Sequence, residues 1–450
     1  MEINRTNISP ALIIGLKDEK DYAILGINKE TITFESADKL DDEFRFTILL
    51  FNFSLYDYEK FEIDKCKVLQ VKENEFSYIY ICKIEEIKNL EEYETKLKDL
   101  LKAVELNDMS YTLDNIFKDN NEKKLQLKDN SFFNNYEEQH NYWFNENTNC
   151  ANNQFSSIIN DVELAFNVNN YILYNQFLIK PFNDAIKEEL EKNKLSNHGI
   201  FQKEFSRVYI GNQFCHNLFP DNEMLFKLIN KAKDENYKIS IAFTYMRDNH
   251  IDTYRNILGQ LSKWCDENKM EIEIIVNDWG MLNIVNKDFN NNFTISLGIL
   301  LNKRKKDPRM KWKIGSDKFI EARKENNLNC GHFYDFLEKH NITRFEFESH
   351  VEMNKIPEGK HSLNFPFYQM NTSQYCTLYA ECQNYSRDIQ KLVENCPRYC
   401  EEFVCMLPKN LDAVGKGNSL FGFDNSILIN PQILSEYRKM GIDRLLCTLL

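Results

Sequence analysis

The chain has 450 residues, 42% of them hydrophobic, and this length favours two or three domains with buried cores. The formal net charge of −13 disfavours a nucleic-acid-binding protein, because phosphate contacts need a basic surface. No apolar run approaches the roughly 20 residues of a membrane span, and the N-terminus lacks a signal-peptide pattern. We therefore expect a cytoplasmic protein, in which clustered cysteines indicate metal or cluster ligands rather than disulfides.

Strand-forming residues are concentrated in four segments of the first hundred residues: TITFES, FRFTILLFNFSLY, FEIDKCKVLQV and FSYIYICKI. Leu90, Leu97 and Leu101 then recur at helical spacing, so we expect residues 1–106 to form an all-β module closed by a helix. In layout this module resembles a PilZ domain. The paired arginines with which PilZ domains hold a cyclic dinucleotide have no match here, and residues 28–34 keep only a remnant of the second PilZ motif. A structural or docking role is therefore expected.

Residues 107–204 carry two patterns. Residues 107–153 are rich in Asn, Asp, Lys and Glu without an apolar period, which indicates a linker or a surface excursion. Amphipathic helical patterning follows, first through Leu164 and Phe166 and then in a helix that starts at Pro181. We expect this part of the chain to be a linker followed by a helical connector.

From residue 205 onward, short apolar strands alternate with helical segments. Six segments have strand character: SRVYIGN, KISIAFTY, MEIEIIVN, FTISLGILLN, RFEFESHVEM and SLNFPFYQM. Alternation of this kind indicates parallel β/α units, and at least six strands favour a TIM-like β/α barrel over an open sheet. The predicted fold class is therefore α/β, with a barrel over residues 205–450. In such a barrel the functional residues follow the strands.

Five of the twelve cysteines lie within residues 371–405, and a sixth follows the first predicted barrel strand. These six candidates are Cys215, Cys376, Cys382, Cys396, Cys400 and Cys405. Four thiolates at one site suit either a zinc ion or an iron–sulfur cluster. The CxxC pairs of a zinc ribbon are missing, so the irregular spacing and the distant Cys215 favour a cubane cluster. The pattern leaves open which four of the six bind.

The segments VYIGNQFC, EIIVNDWGMLNIV, FTISLGILLNKRKKDPR, SQYCTLYA and CPRYC resemble the collagenase-like peptidase (U-thirty-two) family. They look most like its iron–sulfur branch, which supports oxygen-independent hydroxylation in ubiquinone synthesis. The resemblance covers roughly residues 205–408. It implies a [4Fe-4S] cluster held by Cys215, Cys376, Cys396 and Cys400, and a second subunit of the same type as a partner.

Two of the six cysteines depart from the family pattern. Cys382 is an alternative to Cys376, and Cys405 has no counterpart. The basic residue that the family pattern has just after its second cysteine is also missing, because TLYAE follows Cys376.

Acidic residues after two strands are candidates for catalysis. Asp278 either caps the next helix or acts in the reaction, and the capping role is favoured. Glu346 and Glu348, with Glu352 beyond them, share one strand face, so they are acid–base candidates if they point into the barrel. No residue is assigned a catalytic role on this basis. Trp279 is either a core residue or a cavity wall for a flat substrate.

A dense basic run over residues 302–309 follows another strand and includes Lys303 and Arg304. It would hold an anionic substrate or a partner, and the alternative is a solvated loop. His216, next to Cys215, either donates a hydrogen bond near a cluster or has a packing role.

We expect an iron–sulfur protein whose barrel places the cluster over a cavity for a small-molecule or peptide substrate, supporting an anaerobic modification such as hydroxylation. One alternative is a peptidase or peptide-processing protein, which the family name suggests. Another is a non-enzymatic adaptor whose cluster senses redox state.

Overall fold

The structure, a computed structural model, describes residues 12–18, 20–52, 57–74, 77–105, 132–145, 148, 153–289, 292–304, 306, 308, 321, 323–350, 352–384 and 390–450. Within these ranges no helix is long and apolar enough to cross a membrane. The chain divides into two compact units, Met1–Ser131 with Arg309–Ala322, and Phe132–Pro308 with Arg323–Leu450.

The first unit is a small antiparallel barrel followed by one helix. Its elements are β1 (Ile13–Lys17), β2 (Lys20–Ile27), β3 (Thr31–Ser36), β4 (Glu43–Asn52), β5 (Asp57–Glu73), β6 (Tyr78–Ile87) and α1 (Leu90–Glu105). The strands close in the order β1-β2-β3-β6-β5-β4, and β4 pairs back onto β1. The predicted all-β character of this module is confirmed.

Stacked aromatic rings fill this first barrel. The centroid of Phe34 lies 4.9 Å from that of Phe46 and 5.5 Å from that of Tyr80, and all three side chains are buried. Helix α1 adds the buried side chains of Tyr93 and Leu97, which explains the helical spacing of its apolar residues.

The second unit is a β/α barrel with an antiparallel extension. Its strands are β7 (Glu163–Val168), β8 (Arg207–Gly211), β9 (Lys238–Ala242), β10 (Ile272–Val276), β11 (Phe293–Leu297), β12 (Arg344–Glu348), β13 (His361–Thr372), β14 (Cys405–Met406), β15 (Ala413–Lys416), β16 (Ser419–Phe423) and β17 (Ile442–Thr448). Its helices are α2 (Tyr136–Trp143), α3 (Asn153–Ile158), α4 (Tyr171–Ile179), α5 (Phe182–Lys192), α6 (Asn222–Asp234), α7 (Ile251–Asn268), α8 (Trp279–Asp288), α9 (Gly331–Lys339), α10 (Thr377–Asn384), α11 (Ser426–Ile429) and α12 (Pro431–Lys439).

Eight parallel strands close this second barrel. They follow in sequence order from β7 to β13, and β17 pairs with both β13 and β7 to complete the circle. The long strand β13 continues past the barrel rim and pairs there with β16, which with β15 and β14 forms the antiparallel extension. The predicted α/β class with a TIM-like parallel barrel is confirmed.

Side chains alternate between the two faces of the barrel wall. Outward-facing residues such as Leu164 and Phe166 join the large core under the helices. Inside the barrel, buried polar groups interact. Arg444 donates from Nε to Glu163 Oε2 at 2.6 Å and from Nη1 to Glu273 Oε2 at 2.7 Å. Buried ion pairs among Arg444, Glu163 and Glu273 therefore stabilise this part of the barrel interior.

The barrel begins earlier than the sequence suggests. Leu164 and Phe166 were assigned to a helical connector, and this assignment is wrong because they belong to strand β7, which pairs with β8 and β17. The second compact unit accordingly starts at Phe132, inside the range 107–204 that was treated as linker and connector. Of the residues expected to form a linker or surface excursion, 107–153, residues 107–131 lie outside the described residues, whereas helix α2 within 132–145 buries Trp143 in the core and is not a linker.

Six further strands were not predicted, namely β1, β2, β14, β15, β16 and β17. Strands β1 and β2 contain Gly15 and Gly26, which weaken the strand pattern. Strand β17 carries the charged pair Asp443 and Arg444, which resembles a surface segment until the ion pairs inside the barrel are known.

Candidate metal centre

Cys215 lies at the C-terminal rim of the parallel barrel. Gly211 ends β8 with a φ of +113°, and a Cβ there would lie 2.5 Å from Ala242 O, so the turn requires glycine. Asn212 Oδ1 then accepts hydrogen bonds from Phe214 N and Cys215 N, both at 2.8 Å. These contacts fix the loop that presents the Cys215 thiol.

Cys376 lies at the start of helix α10, in the segment that follows β13. Its Sγ accepts a hydrogen bond from Tyr379 N at 3.3 Å. Asn418 ties this segment to the Cys215 loop, because its Nδ2 donates to Phe214 O and to Ser373 O, each at 2.8 Å. One asparagine of the antiparallel extension thus connects the two cysteine-bearing segments.

Cys396 and Cys400 lie on either side of a left-handed turn. Arg398 adopts a φ of +60°, and its backbone N–H donates to Cys396 Sγ at 3.4 Å. The Arg398 guanidinium lies 3.8 Å from the ring centroid of Tyr171, and Tyr171 N donates to Glu401 Oε1 at 3.1 Å. The CPRYC segment is therefore anchored to the start of α4.

The thiols of Cys215, Cys376, Cys396 and Cys400 influence one another electrostatically in every pairing. The pKa of Cys215 is raised to about 12, first by burial and then by the charges of Cys400 and Cys396. Burial likewise raises the pKa of Cys376 to about 12, with added contributions from Cys215 and Cys396. The pKa of Cys400 rises to about 12 through burial and through Cys376 and Cys396. The fold brings these four thiols to one place.

Cys382 and Cys405 interact with a different residue. Cys405 Sγ donates a hydrogen bond to Glu381 Oε2 at 3.2 Å. The pKa of Cys382 is raised by burial and then by the charge of Glu381. Both thiols pack in the same small cluster as Cys400. Cys376 belongs to that cluster as well, but charge and hydrogen-bond effects connect Cys382 and Cys405 to Glu381 and the other four thiols to one another.

The donor chemistry of the four thiols fits an iron–sulfur cluster. Backbone N–H groups point at Cys376 and Cys396, and such hydrogen bonds stabilise thiolates. Buried thiols of raised pKa become thiolates when iron offsets their charge. Among the described residues, no group of three or more His, Cys, Asp or Glu side chains is arranged so that it could hold a metal ion.

A lysine and a small cavity adjoin the thiols. Cys215, Cys400 and Lys416 line a cavity of about 40 Å³ beside the ends of β7, β8 and β17. Burial lowers the pKa of Lys416, and the nearby Cys400 and Glu401 oppose that effect. An ammonium group at this position favours negative charge on the neighbouring thiolates.

The acidic candidates after the strands have different environments. Asp278 caps α8, accepting hydrogen bonds from Gly280 N at 2.7 Å and Met281 N at 3.2 Å, as the favoured interpretation predicts. Glu346 points into the barrel and accepts from Tyr209 Oη at 2.8 Å and Asn364 Nδ2 at 2.7 Å. Burial raises its pKa, and Arg444 opposes this.

Glu348 also faces the barrel interior and pairs with Lys306. Burial raises its pKa, and Lys306 lowers it. Of the four acidic candidates, Glu346 and Glu348 are therefore the buried carboxyl groups of β12 that could transfer a proton, whereas Glu352 lies beyond the end of that strand and pairs with Arg323.

A wide cleft opens at the rim of the barrel beside Tyr245 and the basic run. It encloses about 1090 Å³, part of it open to solvent, and Lys303 and Arg304 line it. Burial and the charge of Lys306 lower the pKa of Lys303. Lys305, Asp307 and Arg309 of this run lie outside the described residues. Trp279 is half-exposed and packs edge-on against Phe333 and Phe336 of α9, with ring centroids 5.9 and 5.4 Å away.

Several residues that support the site were not predicted from the sequence. Asn212 occupies an Asx-type turn that its spacing from Cys215 could have suggested. Lys416 lies near Cys400, and Arg247 and Asn418 contact the segments that carry Cys215 and Cys376; all three come from distant strands and loops, so only the fold reveals their positions. No family model, no curated protein and no solved structure matches the chain.

Proposed function

We propose that this protein binds a [4Fe-4S] cluster through Cys215, Cys376, Cys396 and Cys400 and uses it in an oxygen-independent modification such as hydroxylation. The observation that carries the proposal is that the pKa values of Cys215, Cys376 and Cys400 are raised by one another's charges and by that of Cys396, so that every pair of the four thiols is connected. The sequence resemblance to the iron–sulfur branch of the collagenase-like peptidase family motivates the reaction. The same resemblance motivates a second subunit of that type as a partner.

The residues around the thiols would support such a group. When bound, the cluster supplies one-electron redox chemistry at the barrel rim. Backbone N–H groups of Arg398 and Tyr379 hydrogen-bond two of the thiols, and Lys416 offsets part of their negative charge. These contacts would favour the thiolate forms that iron needs.

The cleft at the rim is the proposed substrate site. Lys303 supplies an ammonium group, and Met246 and Leu300 supply apolar surface in the same lining. Arg304 Nη1 and Nη2 are buried, and neither has a hydrogen-bond partner in the part of the chain that the structure describes. A ligand with an apolar body and one anionic group complements this lining. We therefore propose a small organic anion as substrate.

Cysteine replacements test the cluster proposal. We expect the anaerobically purified protein to contain iron and acid-labile sulfide, and the double variant Cys396→Ser, Cys400→Ser to lose both. The matched control is Cys382→Ser, Cys405→Ser, which changes two thiols in the same segment and should retain the iron. Equal iron content in the two double variants would refute the ligand assignment.

A thermal-shift screen tests the substrate class. Small organic carboxylates and phosphates should raise the melting temperature of the protein, since a ligand that binds only the folded state stabilises it. The shift should shrink in Lys303→Gln and persist in Lys227→Gln, which removes an exposed lysine of α6. Equal shifts in both variants would contradict a role for Lys303.

A further inference from the structure

We propose that Arg247 fixes the tautomer of His216, so that the Nδ1–H of His216 donates a hydrogen bond to a sulfur of the bound cluster. This inference rests on the proposed function, because it assumes the cluster at Cys215. Arg247 acts through His216 and is a positioning residue.

The contact between the two side chains assigns the proton. Arg247 Nη1 lies 3.3 Å from His216 Nε2. A guanidinium only donates, so Nε2 must accept and the ring proton of a neutral imidazole must reside on Nδ1. His216 directly follows Cys215 in the chain, so this donor belongs to the residue next to a proposed ligand.

Arg247 is held in place by both cysteine-bearing segments. Its Nη2 donates to Gln374 O, two residues before Cys376, and to Tyr245 Oη at 3.4 Å. Its guanidinium also lies 5.8 Å from the ring centroid of Tyr245. Arg247 therefore links the residue after Cys215 to the residues before Cys376.

The Nδ1 atom of His216 lacks a hydrogen-bond partner. It is buried and has no acceptor among the described residues. The ring of His250 covers one side of the imidazole, with 4.6 Å between centroids and 44° between planes. Leaving such a donor unsatisfied costs about 1–3 kcal/mol. A thiolate or sulfide of the cluster would satisfy it.

Such a hydrogen bond has a measurable consequence. The reduced cluster carries one more negative charge than the oxidised cluster, so N–H donors to sulfur and nearby cations favour reduction. Removing the donor should therefore lower the reduction potential. We expect about a tenfold change in the reduction equilibrium, which is 59 mV for a one-electron couple.

The test combines tautomer and potential. Imidazole ¹⁵N shifts of the metal-free protein should show His216 protonated at Nδ1, and Arg247→Met should abolish this preference. In the cluster-loaded protein, redox titration followed by electron paramagnetic resonance should give lower potentials for Arg247→Met and for His216→Phe. The double variant should be no lower than Arg247→Met alone, because His216 acts only through the hydrogen bond whose donor Arg247 fixes.

Arg255→Met is the matched control. It removes an arginine from α7 whose side chain pairs with Asp288 and is half-exposed, so its tautomer spectrum and potential should equal those of the wild type. An Nε2-protonated His216 in the wild type would overturn the proposal whether or not a cluster binds. Unchanged potentials in both variants would overturn it too. A wild-type protein without iron would instead refute the proposed function on which it rests.

Discussion

Arg444 is central to the interior of the parallel barrel, and we predict that Arg444→Met destabilises this unit strongly. The arginine donates to Glu163, Glu273 and Tyr209 at 2.6–2.7 Å. Its side chain is 4% exposed, and the two glutamates are 16% and 6% exposed. Methionine would fill much of the space but leave two buried carboxylates without this partner.

The expected size of the effect follows from these contacts. Removing one partner of a buried ion pair typically costs about 3–5 kcal/mol, because the remaining charge is left in a low-dielectric environment. Arg207 still lies 3.1 Å from Glu163 and 3.2 Å from Glu273, and it would offset part of the loss. We therefore expect a loss near the lower end of that range, about 3 kcal/mol.

Urea unfolding followed by tryptophan fluorescence measures this loss, because Trp143 and Trp264 are both buried in the second unit. The exposed replacement Arg255→Met is the control and should change the stability by less than about 0.5 kcal/mol. Adding Glu273→Gln to Arg444→Met should restore part of the stability by removing one unpaired charge. A loss below about 1 kcal/mol in Arg444→Met would refute this account of the barrel interior.

Three other predictions follow from the same structure. Burial alone would raise the pKa of Glu163, but Arg444 and Arg207 lower it from 4.5 to about 2. The contribution of the ionised Glu163 to the free energy of unfolding is therefore complete above pH 4.5 and is lost as the pH falls towards 2. The free energy of unfolding, measured as a function of pH, should fall by roughly 3 kcal/mol over that window, and a flat profile would contradict this prediction. Asn212→Ala should lower the iron content and cost about 1–3 kcal/mol, whereas Asn212→Asp, which keeps the acceptor oxygen, should restore the iron. Asp278→Ala removes a helix cap and should lower the free energy of unfolding, measured in urea, by about 1 kcal/mol. A loss of activity with unchanged stability would instead indicate a catalytic role for Asp278.

Local signals predicted much of the fold. Asp221 caps α6 and Pro181 precedes α5, as their positions in the sequence suggest. In β7 the signal was present but misassigned: Glu163, Ala165 and Asn167 alternate with apolar residues at a period of two, while the apolar residues just before β7 favoured a helical interpretation. Ring closure by β7 and β17 depends on long-range pairing, which a local pattern cannot show.

The site could be predicted only in part. The cysteine spacing left six candidate thiols, and the family resemblance selected four of them. The fold brings these four together, while Cys382 and Cys405 interact with Glu381. The supporting contacts of Arg247 and Asn418 join segments more than a hundred residues apart, so they follow from topology rather than from spacing. The reaction itself depends on a substrate that no local pattern specifies.

Iron and acid-labile sulfide analysis of the anaerobically purified wild-type protein tests the central proposal most directly. A [4Fe-4S] cluster at the four thiols predicts about four irons and four sulfides per chain, with a visible absorption that fades on exposure to air. Zinc in place of iron, or a protein with neither metal nor sulfide after anaerobic purification, would contradict it.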